Sequence, residues 1–360
     1  MANVLITGAG GFLGTWMTQE FIDQGHSVRA ADLASADLTR HERMGAQAVA
    51  IDITDRSTVE TATDGMDIVV HAAGIFDLSA PPSVMWAVNR DGARTAAEVA
   101  ADKGVKRFVM ISSTSVYGRN TNNVSEDHPK SPTHDYDRSK WAGEEAAVAA
   151  CQDNALPFTV LRPTLIYGPG GRYGIANALA LMALRAQHGM RTLPIATGGP
   201  NGHHVHVEDV ARAAVTLATD ERAAGGIYNI ADDQPLPAGE LIRIFGEATG
   251  VAITTPALPW WLTRMAGLFK PILRRFFVKE NVKLAHIWKK LADKNDFSVA
   301  LQPKIDIDWV DFMFLPHSYD NQGIKALGFD FKHPDSRVGL RETVAWYRQN
   351  RWLPSPPPEA

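Results

Sequence analysis

The stretch Ala2-Asn3-Val4-Leu5-Ile6-Thr7-Gly8-Ala9-Gly10-Gly11-Phe12-Leu13-Gly14 decides the fold. Its first half is a short apolar run that reads as a buried strand. Its second half sets glycines at 8, 11 and 14, and an apolar-periodic helix pattern follows through Phe21 and Ile22. Gly8 lets the chain turn sharply. Gly11 lets the backbone approach a diphosphate with no Cβ in the way, and Gly14 lets the helix pack close to the strand. The helix start adds N–H groups and a positive dipole end for the phosphates. A tight turn with no ligand uses the same residues, but the strand–turn–helix context favours a dinucleotide site.

Working outward, a second strand, Ser27 to Ala31, ends in Asp32. A carboxylate there accepts hydrogen bonds from a ribose 2′-OH and repels a 2′-phosphate, so NAD is expected over NADP. A solvated loop aspartate is the plain alternative, and Arg29 and Arg40 keep NADP open. Asp52 and Ile53 follow the apolar run Ala48 to Ile51 and fall where an adenine ring would lie.

Strand-like runs recur at 3–7, 27–31, 47–51, 67–71, 106–111 and 158–162, with helix-like runs between them. This alternation predicts an α/β fold: a Rossmann doubly wound parallel sheet. Val210 to Leu217 reads as a helix, and Gly226 to Ile230 as a strand returning to the sheet. The expected NAD-binding domain is therefore 1–165 plus 205–231. A smaller, discontinuous C-terminal substrate-binding domain takes 166–204 plus 232–350. The proline-rich tail 354–360 reads as disordered.

The chemistry is expected from Tyr136 and Lys140, spaced Y-x-x-x-K on a helix that continues through Trp141, Ala142 and Glu145. Positions i and i+4 share a helix face. A nearby ammonium stabilises a phenolate and lowers its pKa toward working pH. Lys140 can also hold a nicotinamide ribose. The strand 107–111 runs into Ser112-Ser113-Thr114-Ser115-Val116-Tyr117-Gly118, which offers a hydroxyl to a substrate oxygen. Alone, Y-x-x-x-K is a common accident on helices; the glycine turn and the serine-rich strand end give it weight. Tyr117 has no lysine four residues on and reads as structural.

With these motifs in hand, the chain resembles the extended short-chain dehydrogenase/reductase superfamily, of the NAD-dependent epimerase/dehydratase type. The matching segments are TGAGGFLG (7–14), DIVVHAAGI (67–75), VNRDGARTAAEVA (88–100), VKRFVMISSTSVYG (105–118), YDRSK (136–140), LRPTLIYGPG (161–170) and VHVEDVARA (205–213). The resemblance implies Ser113, Tyr136 and Lys140 as the catalytic set, with Thr114 and Ser115 close enough to share the serine's part. It implies a cofactor lining of Gly8, Gly11, Phe12, Leu13, Gly14, Asp32, Asp52, Ile53, Ala72, Ala73, Gly74, Tyr136, Lys140 and Pro163. Asn89 matches a helix asparagine that supports the fold near the active site. His71 takes mainly a packing and hydrogen-bonding role. The resemblance also implies a homodimer through two helices per subunit.

Composition bounds the rest. The net charge of −4 gives no basic balance to suggest nucleic acid. The single cysteine, Cys151, excludes an intramolecular disulfide and suits a reducing cytosol. The N-terminus opens directly on a strand, without a signal-peptide pattern. These features point to the cytoplasm. His203, His204 and His206, with Glu208 and Asp209 nearby, have no diagnostic ligand spacing, so no metal is expected.

Two substrate readings compete. A nucleotide-sugar would be epimerised or dehydrated through a keto intermediate with tightly bound NAD. A hydrophobic, steroid-like alcohol or ketone would be oxidised or reduced, as in the 3β-hydroxysteroid dehydrogenase-like branch of the resembled superfamily. Two departures favour the second. Nucleotide-sugar members usually carry arginine and aspartate where this chain has His203-His204, and neutral histidine does not grip a diphosphate. The segment 256–291 is also both apolar and basic, with Pro271 expected to kink or break its helix. It reads as a peripheral membrane contact, a lid over a lipid-like substrate, or an ordinary packed helix. Ile75, Phe76 and Leu78 would add apolar wall, and Thr114, Ser115, Tyr167 and Tyr173 would line the pocket. A non-catalytic NAD-binding sensor is the remaining reading, and the retained Tyr136 and Lys140 count against it.

Overall fold

The computed structural model describes residues 1–76, 80–194, 198–254, 270–305 and 315–357, leaving out the side chains of 270–276 and 278. Its centre is a seven-stranded sheet. The strands are β1 (Asn3–Thr7), β2 (Ser27–Asp32), β3 (Gln47–Ala50), β4 (Ile68–His71), β5 (Arg107–Ile111), β6 (Phe158–Pro163) and β9 (Ile227–Ile230). Two short strands, β7 (Leu165–Tyr167) and β8 (His204–His206), pair with each other beside it. The spatial order is β9-β6-β5-β4-β1-β2-β3, with every neighbour parallel. Each expected strand is present within a residue of its expected limits.

Helices cover both faces because both faces are apolar. Val4 and Ile6 of β1 point into one core with α1 (Phe12–Asp23) and α5 (Val207–Thr219). Leu5 points into the other, with α2 (Ala93–Asp102) and α3 (Asp135–Asp153). Alternate side chains of one strand thus feed two cores, as the two-residue strand period requires. The strand order reverses at β1, whose neighbours are β2 and β4. The crevice outside the carboxyl ends of β1 and β4 is where such sheets bind ligands.

A third core joins α4 (Ile175–Gln187), α6 (Ala238–Thr249), α7 (Lys270–Asn295) and α8 (Ser336–Gln349). Pro271 falls in the first turn of α7, which runs from Lys270 to Asn295. One expectation is corrected for the described part of the tail: Ser355 carbonyl accepts from Gln187 Nε2 at 2.8 Å, and Pro356 lies against Gly250. Residues 255–269, which include the first 14 residues of the apolar basic segment, lie outside the described residues, as does Leu78. Among the described residues no helix is long and apolar enough to cross a membrane.

Candidate active site

The glycine turn is built as the sequence requires. Gly8 has φ +72°, and a Cβ there would come within 2.7 Å of the Ala73 backbone nitrogen. A Cβ at Gly14 would collide with the Gly8 carbonyl. The turn therefore presses α1, the end of β1 and the strand end Ala72-Ala73-Gly74 together. The first helical bond is donated by Thr15 N–H to Gly11 carbonyl, at 3.0 Å. The N–H groups of Phe12, Leu13 and Gly14 precede that ladder and are the ones a helix offers to an anion.

Asp32 closes the other side. Its Oδ2 accepts from Gly10 N–H and its Oδ1 from Leu33 N–H, each at 2.8 Å. A carboxylate holds about four acceptor sites, so two bonds fix its orientation and leave acceptor capacity for a ribose diol. Arg29 does not compete for a phosphate. Its guanidinium bonds Gln47 Oε1 and the carbonyls of Ala62 and Asp64. Asp32→Ala is expected to weaken NADH binding by about tenfold or more, from the loss of charge-assisted hydrogen bonds, and NADPH binding by less. Fluorescence titration with both nucleotides checks this, and an unchanged NADH/NADPH ratio would make Asp32 a bystander. Asp52 is fixed by accepting from Thr54 N–H and hydroxyl. The Ile53 side chain is buried against Gly92.

Tyr136 and Lys140 stand in the first turns of α3. Asp137 anchors that helix start, its Oδ2 accepting from Thr133 hydroxyl at 3.2 Å and His134 N–H at 3.3 Å. Tyr136 is half-buried, and its phenol is hydrogen-bonded to the Ser113 hydroxyl. Burial pushes the phenol's pKa up, Asp137 adds to this, and the Ser113 bond opposes it. Lys140 is buried, donates to Ile111 carbonyl at 2.7 Å, and lies beside Gly74. Desolvation lowers its pKa to about 8 against the pull of Glu144.

A clamp holds the strand end over this pair. Asn89 sits in a π-helical turn, Ala87–Gly92, a distortion that recurs at functional sites. Its Oδ1 accepts from Ile75 N–H at 2.7 Å, while its Nδ2 donates to Ile75 carbonyl and Ser139 Oγ, both at 3.0 Å. One amide thus ties the segment after Gly74 to the helix that carries Tyr136. His71 bonds Thr7 Oγ1 at 3.0 Å, and burial holds it neutral, its pKa lowered to about 3.

The pocket residues divide. Phe76 is 49% exposed and meets the Tyr136 ring edge-on at 5.1 Å. Tyr173, 63% exposed, lies 6.3 Å beyond Phe76. Ser115 is half-buried and donates its N–H to Ser113 Oγ. Thr114 is corrected: its buried hydroxyl donates to Pro163 carbonyl and serves Tyr319. Tyr167 is corrected too. It is 2% exposed, packed against His206 at 5.3 Å and against Gly339.

The sequence reading missed the polar floor beneath the site. Glu144 forms a buried ion pair with Arg162 and accepts from Ser112 hydroxyl at 2.5 Å. Arg162 also donates to Tyr117 hydroxyl, which donates to Asn229. Glu144 lies one helical turn beyond Lys140, the spacing that could have revealed it. The histidines also regroup. His203 and His204 are buried, their pKa values lowered to about 4 and about 3 by desolvation. His206 joins Glu208 and the unforeseen His333, ligand-capable atoms lying within 4.8 Å of one another. Lys332 Nζ donates to Glu208 Oε1 at 2.5 Å, and His333 Nε2 meets Glu208 Oε2 at 2.9 Å.

The comparisons agree with this geometry. Residues 4–231 match the NAD dependent epimerase/dehydratase family. The chain is 29% identical over 281 residues to the 3 beta-hydroxysteroid dehydrogenase/Delta 5→4-isomerase of Mycobacterium tuberculosis, covering 73% of this chain and 75% of that protein. It is 27% identical over 283 residues to the N-acetyl-alpha-D-glucosaminyl-diphospho-ditrans,octacis-undecaprenol 4-epimerase of Escherichia coli O157:H7, covering 77% and 82%. In fold alone it is similar to UDP-glucose 4-epimerase of Thermotoga maritima, solved with UDP-glucose. There the TM-score is 0.70, identity 21%, and coverage 96% and 99%. The chain belongs to the NAD-dependent epimerase/dehydratase family of the extended short-chain dehydrogenase/reductase superfamily, and is an NAD-dependent enzyme.

Proposed function

We propose that this enzyme interconverts a secondary alcohol and a ketone on a hydrophobic substrate, steroid-like or otherwise lipophilic. The observation that carries this is the aromatic approach to Tyr136: Phe76 edge-on to its ring and Tyr173 beyond, both open to solvent. Exposed aromatics beside a reacting group suit an apolar ring system, which would desolvate them, better than a hydrated sugar. The buried, neutral His203-His204 pair supports the same reading, because it offers no charge to a diphosphate. So does the similarity to a steroid dehydrogenase.

The glycine turn, Asp32 and Lys140 would hold NAD, which would accept the hydride in the oxidative direction and, as NADH, supply it in the reductive one. The residues manage the proton. Ser113 orients the substrate oxygen. Tyr136 as phenol gives its proton to that oxygen as the carbonyl becomes a carbinol, and as phenolate takes the hydroxyl proton in the oxidative direction, with the Lys140 ammonium on the same helix face favouring the phenolate. The substrate would enter between the sheet's carboxyl edge and the part built from 166–204 and 232–350. A cytoplasmic homodimer belongs to the same proposal.

The test is the double variant Phe76→Ser/Tyr173→Ser. KM for a hydrophobic secondary alcohol should rise by about tenfold or more, the worth of lost apolar contact, with NADH binding unchanged. An unchanged KM would remove the aromatic approach from the site. The alternative, a nucleotide-sugar epimerase or dehydratase, draws support from the 4-epimerase similarity.

A further inference from the structure

We propose that the outer face of α7 docks on an anionic lipid surface. The helix has two unlike faces. Trp288, 1% exposed, and Ala292 are buried in the third core, with Leu284 and Leu291 packed beside them. Trp288 meets Phe297 edge-on at 5.0 Å. That face is closed by the protein itself. The opposite stripe carries Lys279, Lys283, His286 and Lys290 at helical spacing, all exposed. Lys289 and Lys294 flank it, exposed as well.

Between Lys279 and Lys294, five lysines stand against two carboxylates, Glu280 and Asp293. The whole chain has a net charge of −4, so this helix reverses the sign of its protein. Apolar groups share the outward surface: Val282 is 70% exposed and Ile287 38%. Lysines framing exposed apolar side chains suit a helix lying in a bilayer interface. The apolar tips and lysine methylenes enter the headgroup layer while the ammonium groups stay at the phosphates. A nucleic acid would use the lysines but leave Val282 and Ile287 unexplained. The occupant is therefore a bilayer with anionic headgroups. This inference is independent of the substrate of Tyr136, so its failure leaves the catalytic reading intact.

The experiment is vesicle flotation of the full chain with phosphatidylcholine alone and with phosphatidylcholine mixed with phosphatidylglycerol. The expected result is binding to the mixed vesicles only, weakened by added salt. The variant Lys279→Glu/Lys283→Glu/Lys290→Glu should partition on the order of a hundredfold more weakly. Its NADH affinity and circular dichroism should match the parent, which separates lost docking from lost fold. Equal binding to both vesicle types, binding to neither, or parent-like binding of the variant would overturn the proposal. If the variant misfolds, Val282→Asp/Ile287→Asp serves in its place, and loss of flotation is again the expected result.

Discussion

Replacing Tyr136 with Phe is expected to lower kcat by about a thousandfold, within the range of general acid–base catalysis, and to leave NADH affinity within about twofold of the parent. The substitution removes one oxygen and keeps the ring, so the edge-on contact with Phe76 survives. What disappears is the hydroxyl that exchanges the proton and its hydrogen bond with Ser113. Lys140 keeps its bond to Ile111 carbonyl, so the cofactor side of the site is untouched. Single-turnover kinetics with NADH titration in parallel checks both halves. Parent-like turnover in the variant would remove Tyr136 from the chemistry.

The second large effect is acid lability. Five buried histidines, His71, His203, His204, His206 and His317, have pKa values lowered by desolvation to about 3 or about 4. In the unfolded chain each returns to about 6.5. Above that value both states are neutral and pH has no effect through them. Below it the unfolded chain takes up protons that the folded protein refuses, so stability falls as pH falls. Asp232 runs the other way. Burial raises its pKa to about 8, so from there down to the ordinary carboxylate range the folded state holds the extra proton. Glu126, also raised by burial, acts with Asp232; the five histidine protons still outweigh these, leaving a net of about three, or roughly 4 kcal/mol per pH unit at full effect. A typical reserve of about 5–15 kcal/mol is then exhausted within a few pH units below 6.5. Tm by circular dichroism should drop by about 10 °C or more between pH 6.5 and 5.5. A flat Tm across that interval would mean the histidines open to water without unfolding.

The sheet was legible because short apolar runs alternate with helix-period segments along the chain, and because Gly8 and Gly14 sit where only glycine fits. The dinucleotide turn and the Tyr136–Lys140 pair were legible as local patterns. What escaped depended on distant parts of the chain. Thr114 and Tyr167 are polar residues near the right motifs, yet the fold turns them inward, toward Pro163 and Gly339. The Glu144–Arg162 pair joins a helix to the strand behind it, and His333 reaches His206 from the far end of the chain. The proline-rich tail looked unstructured because its composition does not reveal the contacts at Gln187 and Gly250 that hold it.

The central claim is hydride exchange with a hydrophobic alcohol or ketone through Tyr136. Its most direct measurement is net NADH formation by the purified enzyme with NAD, across a 3β-hydroxysteroid, simpler hydrophobic secondary alcohols and several nucleotide-sugars. The account predicts net NADH from the hydrophobic alcohols, abolished in Tyr136→Phe. No net NADH, together with chromatographic conversion of a nucleotide-sugar, would contradict it and assign the site to epimerisation or dehydration.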